Sequence, residues 1–228
     1  KAPRLAGRGD GSRARGEAFE GRDTAAELGT NIIIIVNDNE MSIAENHGGL
    51  YRNLKRLRES GGQAECNYFR ALGFDYLYVE RGNDVGSLVE AFRKVKDIDH
   101  PVVVHIHTEK GHGYAPAVAD KERWHWSMPF HLEDGSPLNP SQGGKSMDML
   151  LGDWLFEEMQ RDKKLVAITA AVPAALGFTK ERREALGKQF VDVGIAEEEA
   201  VALASGMAKR GARPVFSTNA TFLQRTYD

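Results

Sequence analysis

Apolar residues along this 228-residue chain follow two alternating rhythms. Residues 31–36 form a β-branched run, Asn31-Ile32-Ile33-Ile34-Ile35-Val36, and residues 102–106 repeat the type. Short continuous apolar runs of this kind predict strands buried on both faces, as in a parallel sheet. Further strands are predicted at residues 76–79, 165–169, 190–193 and 214–217. Between them the apolar spacing turns helical, at residues 16–28, 49–58, 64–72, 85–95, 147–159, 180–186 and 197–209. Gly29 stops the first helix, and Gly61-Gly62 separates the second from the third. Asp84 is placed to cap the fourth, with Leu88, Val89, Phe92 and Val95 expected on its inner face. Strands alternating with helices imply right-handed βαβ crossovers, so the fold class is α/β with parallel sheets flanked by helices.

Two stretches break the rhythm. The first 15 residues are polar and aperiodic, with Gly9-Asp10-Gly11-Ser12 read as a turn. Residues 108–145 are rich in Gly, Pro, His and Trp, and an irregular stretch of that length is either functional or a linker. A second βα series follows it, so the expected organisation is two partial domains, residues 1–107 and 146–228, joined by the 108–145 connection.

Composition narrows the function classes. Lys plus Arg number 30 against 33 Asp plus Glu, a formal charge of −3, which lacks the basic footprint of a nucleic-acid-binding protein. The longest apolar run is far shorter than the roughly 20 residues of a membrane helix, so no membrane partner is expected. One cysteine, Cys66, excludes an internal disulfide and fits a reducing, cytoplasmic setting. Cys66 has no base partner in the sequence and reads as a small core residue.

The strand at residues 31–36 would deliver Asn39 to the carboxyl edge of a parallel sheet, where such folds bind ligands. A hard cation such as Mg²⁺ takes oxygen ligands. Asp10 offers a carboxylate, Asn39 an amide oxygen and Met41 a loop carbonyl, with diphosphate oxygens to complete the shell. Gly11 and Ser12 offer unhindered backbone N–H groups near a helix start, where anions are favoured. Taken singly, Gly-Asp-Gly is only a turn and Asn-Asp-Asn only a polar loop. Together, bridged by one helix and one strand, they resemble the diphosphate motif of thiamin-diphosphate enzymes.

The flanks sharpen that resemblance. Asn37-Asp38-Asn39-Glu40-Met41-Ser42-Ile43, Lys110-Gly111-His112-Gly113-Tyr114-Ala115-Pro116-Ala117 with Trp124-His125 downstream, Asp192-Val193-Gly194-Ile195-Ala196-Glu197, and Thr221-Phe222-Leu223-Gln224-Arg225 resemble segments of the 1-deoxy-D-xylulose-5-phosphate synthases, in the same order. These belong to the thiamin-diphosphate-dependent transketolase family. The resemblance implies a thiamin-diphosphate-binding fold, with thiamin diphosphate and Mg²⁺ as cofactors. It also implies a homodimer, with pyruvate and glyceraldehyde 3-phosphate as small-molecule substrates. Glu197 takes the place of the glutamate that hydrogen-bonds the aminopyrimidine, and a carboxylate opening a helix is favoured by the helix dipole. By the same resemblance, Tyr114 lines the cofactor site and Lys110 lies close to it. His125 approaches the substrate as proton shuttle or hydrogen-bond donor, or is a packed loop histidine. Phe222 packs on the aminopyrimidine and Arg225 sits near the substrate, or both are structural.

Several positions depart from the family. Arg13 and Arg15 follow the metal-site Asp10 where small or apolar residues are usual. Arg22 replaces Leu or Met, Glu199 stands for a usual His, and Asn219 for a usual Tyr. The segment between Ser42 and Phe69 is shorter than the family's, and the long stretch expected before the metal motif has no counterpart. The chain is therefore read as the middle portion of a longer enzyme. Two alternatives stay open: a transketolase-like enzyme with another donor, and a scaffold fragment without turnover. His105 and His107 share a strand face, but partners for a zinc site are not evident in the sequence.

Overall fold

A computed structural model describes residues 4–9, 16–140 and 143–227. Asp10, Gly11 and Ser12, assigned above to the metal and the diphosphate, lie outside the described residues. The chain divides into two compact units, Lys1–His125 and Trp126–Asp228, and the division falls within the irregular 108–145 stretch.

In the first unit four strands, β1 (Arg4–Gly9), β2 (Ile32–Asp38), β3 (Asp75–Val79) and β4 (Val102–His107), form one sheet in the order β1-β2-β4-β3. Every pairing is parallel. Helices α1 (Gly16–Leu28), α2 (Gly49–Glu59), α3 (Tyr68–Ala71) and α4 (Val85–Val95) fill the crossovers, and α5 (Ala115–Ala119) follows β4. The β2 run is buried on both sides, as expected. Ile34 and Val36 enter one cluster with Leu54, Leu57, Phe69 and Val103, while Ile33 joins Val79, Ala91, Val95 and Val104 in the other. Strand alternation produces this division, because successive side chains point to opposite faces.

Four expectations need correction. Strand β1 lies in the stretch read as aperiodic, and it pairs with β2 along its whole length despite its Arg- and Gly-rich sequence. The helix expected over 64–72 is confined to α3, because Asn67 caps it by accepting from the N–H groups of Phe69 and Arg70. On α4 the inner positions are Leu88, Ala91, Phe92 and Val95, and Val89 is exposed. Cys66 is exposed rather than in the core. Where an apolar residue would be usual, Arg22 is buried, with its guanidinium over the rings of Phe19 and Tyr68 at 4.6 and 5.3 Å.

The second unit contains a three-stranded parallel sheet of β5 (Leu165–Thr169), β6 (Phe190–Asp192) and β7 (Arg213–Phe216), in the order β6-β5-β7. It is accompanied by α6 (Met147–Arg161), α7 (Lys180–Leu186) and α8 (Glu197–Lys209). Leu155 and Met159 of α6 pack with Leu165, Leu176 and Phe178. At Gly152 the helix runs so close to the turn at residues 173–177 that an added Cβ would lie 2.4 Å from the Leu176 carbonyl oxygen. Among the described residues, no helix is long and apolar enough to cross a membrane.

A buried polar network interrupts the first core. Asp38, at the end of β2, is 1 % exposed, and His105 of β4 is fully buried. His105 Nε2 lies 2.9 Å from Asp38 Oδ2, and its Nδ1 shares a 2.6 Å hydrogen bond with the Tyr76 hydroxyl. Arg58 of α2 donates to the same Asp38 oxygen. Burial alone would push the Asp38 carboxyl up. The His105 hydrogen bond and the Arg58 charge outweigh it and hold the group at about 2, so it is a carboxylate at neutral pH. Burial and the nearby Asp38 charge push the Tyr76 phenol up, which keeps its proton available to the network.

Two stability measurements check this packing. Gly152→Ala is expected to destabilise the chain by about 1–3 kcal/mol through overpacking. Gly206→Ala, mid-helix in α8 with open space at its Cβ position, is expected to stabilise by about 0.5–1 kcal/mol. Denaturant midpoints that move together, or in the reverse senses, contradict the close approach of α6. Tyr76→Phe takes the hydroxyl away from His105 and should cost about 1–3 kcal/mol; an unchanged midpoint would show that this bond contributes nothing.

Candidate active site

The carboxyl ends of β2, β4 and β3 bring three loops to one edge of the first sheet. At the end of β2 the chain makes a tight turn through Asp38-Asn39-Glu40-Met41. Asp38 Oδ1 accepts from the Glu40 N–H, and Asn39 Oδ1 accepts from the Met41 N–H, each at 3.2 Å. Glu40 is in the left-handed region at φ 69°. For a residue with a side chain this costs about 1–2 kcal/mol, a strain seen where surrounding contacts over-determine a functional loop. The Glu40 side chain meets Arg58 Nη2 at 3.5 Å and His107 Nε2 at 3.2 Å.

The loop after β4 is tied to this turn. The Thr108 N–H donates to the Asp38 carbonyl and its hydroxyl to Asn37 Oδ1. Lys110 Nζ donates to the Ser42 carbonyl at 2.7 Å and lies 3.4 Å from that of Ile43. Lys110 therefore holds the backbone at Ser42 and Ile43, just after the Asn39–Met41 turn. Gly111, at φ 84°, allows the return of the loop, since a Cβ there would lie 2.6 Å from the Ala117 carbonyl carbon. Tyr114 precedes α5 and meets Trp124 edge to face at 5.1 Å. His125 ends a short 3₁₀ turn (Arg123–His125). Partial desolvation, and then the charge of Lys110, hold its imidazole below the usual histidine value.

Two clefts flank the turn and share Glu40. One, of about 560 Å³, is lined by Glu80, Asp84, His107 and Glu109 among others. The second, of about 530 Å³, is lined by Met41, His47, Arg52 and Arg58. Among the described residues, no group of three His, Cys, Asp or Glu side chains comes together for a metal ion. Both His105 ring nitrogens are engaged by Asp38 and Tyr76. The oxygen donors at the turn, the Asn39 amide and the Met41 carbonyl, are hard ligands of the kind Mg²⁺ takes.

The second unit carries the other candidate residues. Asp192 Oδ1, at the end of β6, accepts from the N–H groups of Gly194 and Ala171 at 2.8 and 2.9 Å, which orders the turn into α8. Glu197 opens α8 and is only 2 % exposed. Its Oε2 accepts from Arg225 Nη1 at 2.6 Å, and Arg225 Nη2 reaches Glu198 at 2.9 Å. Glu198, which is exposed, is therefore half of an acidic pair around one arginine. Arg225, assigned to the substrate, is committed to this pair. It lies with half-buried Phe222 on a 3₁₀ segment, Ala220–Thr226.

Motif reading overlooked Arg58 and Tyr76, and gave Asp38 and His105 no role in the site. The one available signal was a histidine and an aspartate inside otherwise apolar strands, Val102-Val103-Val104-His105 and Ile35-Val36-Asn37-Asp38.

Comparison with known proteins supplies the family. The family model for 1-deoxy-D-xylulose-5-phosphate synthase matches residues 4–67 and 61–108. The model for the transketolase pyrimidine-binding domain matches residues 144–228. The 1-deoxy-D-xylulose-5-phosphate synthase 1 of Geobacter sulfurreducens is 37 % identical over 96 % of this chain. The synthase of Listeria monocytogenes serotype 4b is 36 % identical over the same share. The chain spans 40 % and 37 % of the lengths of these two relatives. Among solved structures, a transketolase from Leishmania mexicana aligns with 99 % of this chain and 44 % of its own at 12 % identity, with a TM-score of 0.39. That likeness is too loose to add to the α/β architecture seen directly. The matches cover both units in the order of the sequence motifs, and the chain belongs to the 1-deoxy-D-xylulose-5-phosphate synthase family of transketolase-type proteins.

Proposed function

We propose that this chain carries the diphosphate–metal half and the pyrimidine half of a thiamin-diphosphate-dependent transferase. In this reading residues 1–107 are the diphosphate domain, 108–145 the connection and 146–228 the pyrimidine domain. The reaction joins pyruvate, with loss of CO₂, to glyceraldehyde 3-phosphate, in a homodimeric, cytoplasmic protein. The observation that carries the reading is Glu197: a carboxylate almost fully buried at the start of a helix, at the place where the family puts its aminopyrimidine-binding glutamate.

Thiamin diphosphate, when bound, supplies the electron sink for decarboxylation and carbon–carbon bond formation. The protein's part is to bind, orient and move protons. Asp10, Asn39 and the Met41 carbonyl would hold Mg²⁺, with the Gly11 and Ser12 N–H groups toward the diphosphate. Lys110 braces the Ser42–Ile43 segment that follows the turn. Tyr114 would line the cofactor site and Phe222 would pack on its pyrimidine. Glu197 would hold a proton at the pyrimidine nitrogen, with its charge met by Arg225 whenever that proton leaves. His125 would deliver or accept a hydrogen bond at the substrate, and its lowered imidazole is neutral at physiological pH.

Glu197→Gln keeps the size of the side chain and removes the acid. Turnover of pyruvate with glyceraldehyde 3-phosphate is expected to fall by roughly 10²–10⁴, while calorimetric binding of thiamin diphosphate with Mg²⁺ persists. Unchanged turnover removes Glu197 from the role. Activity with ketose phosphates but none with pyruvate assigns a different donor, and absence of any cofactor heat identifies a scaffold.

A further inference from the structure

The contacts of Arg58 point beyond core packing. The guanidinium reaches from the last turn of α2 to both residues that flank Asn39, the position assigned to the metal. One terminal nitrogen, Nη1, donates to Asp38 Oδ2, and the other, Nη2, lies 3.5 Å from Glu40 Oε2. Asp38 and Glu40 are also joined through the backbone, because Asp38 Oδ1 accepts from the Glu40 N–H. Glu40 is in the left-handed region, so the turn that aims Asn39 is not one its residues adopt unaided.

We propose that Arg58 is a positioning residue for the metal: by bridging Asp38 and Glu40 it holds the strained turn that presents Asn39 Oδ1 and the Met41 carbonyl as an oxygen pair for a divalent cation. This rests on the cofactor reading above. The planar fork of an arginine suits the task, since its two terminal nitrogens can serve two carboxylates at once in fixed geometry, whereas a lysine is a single point charge. The Arg58 side chain is only 12 % exposed and Asp38 is buried, so water competes little for that contact, while the Glu40 end of the bridge is half exposed. His107 meets the other Glu40 oxygen, and Thr108 ties down the Asp38 carbonyl. Residues that orient metal ligands without touching the ion commonly set its affinity by 10–100-fold.

The test uses Mn²⁺ as a paramagnetic stand-in for Mg²⁺, with thiamin diphosphate saturating and free Mn²⁺ read by electron paramagnetic resonance. Arg58→Lys keeps the charge next to Asp38 but cannot span both carboxylates, and should weaken Mn²⁺ binding by about tenfold. Glu40→Ala leaves the buried Asp38 pair intact, opens the far side of the bridge and should weaken binding in the same sense. Glu109→Ala removes an exposed carboxylate at the same edge and should leave binding unchanged. Amide exchange at Glu40 and Met41 in the metal-free chain should accelerate in Arg58→Lys, with the thermal midpoint little altered. Wild-type affinity in both Arg58→Lys and Glu40→Ala overturns the inference. So does an equal loss in Glu109→Ala, which would mean that only the local field matters. A folded wild-type chain that takes up no Mn²⁺ defeats the cofactor reading and this inference with it.

Discussion

Strand alternation leaves Asp38 no choice of direction. In β2 the even-numbered residues Ile34 and Val36 face the cluster under α2, and two positions further on the same face is occupied by a carboxylate. A charge taken from water in this way must be met by hydrogen-bonded partners or lose its ionisation. His105, which shares register with Val36 across the sheet, and Arg58, from the end of α2, meet it. Because the partners come from β4 and α2, one buried charge joins the central strand pair to the helix above it. The turn that follows β2 starts from that fixed point, and the loops carrying Glu40, Thr108 and Lys110 are arranged around it.

The parts of the fold set by local pattern were legible. The apolar runs of β2, β4 and β5 and the Asp84 cap of α4 depend on neighbours in sequence, and they sit where the spacing places them. Strand β1 was not legible, because Arg4-Leu5-Ala6-Gly7-Arg8-Gly9 has little strand propensity. Its conformation comes from pairing with the exposed edge of β2, and sheet context overrides propensity in such cases. Val89 failed for another reason. Leu88, Ala91, Phe92 and Val95 follow the helical spacing of one inward stripe, and Val89 lies beside that stripe and is left outside.

At the candidate site the division is similar. Motifs point to Asn39, Met41, Lys110 and Glu197, whose backbone settings are local turns after the ends of strands. The contacts that hold them could not be found so, since Asp38 meets Arg58 across 20 residues and His105 across 67. No periodicity encodes such pairs, and only the closed sheet brings them together. Arg225 was found by motif and given a role at the substrate, yet its contact with Glu197 spans 28 positions and was invisible for the same reason.

The two units solve one electrostatic problem in opposite ways. Each has an almost fully buried carboxylate near the carboxyl end of a parallel sheet, paired with an arginine from later in the chain. In the first unit Asp38 is surrounded, with both oxygens taken by Arg58, His105 and the Glu40 N–H. Such a group is not free to act on a ligand, and under the proposed function the neutral oxygens of Asn39 and Met41 take that part. In the second unit Arg225 engages only Oε2 of Glu197, and Oε1 takes no part in that contact. A carboxyl held by one oxygen keeps its charge compensated while the other is available to a ring nitrogen. Under the proposed function, that asymmetry separates a buried acid that builds a loop from one that moves a proton.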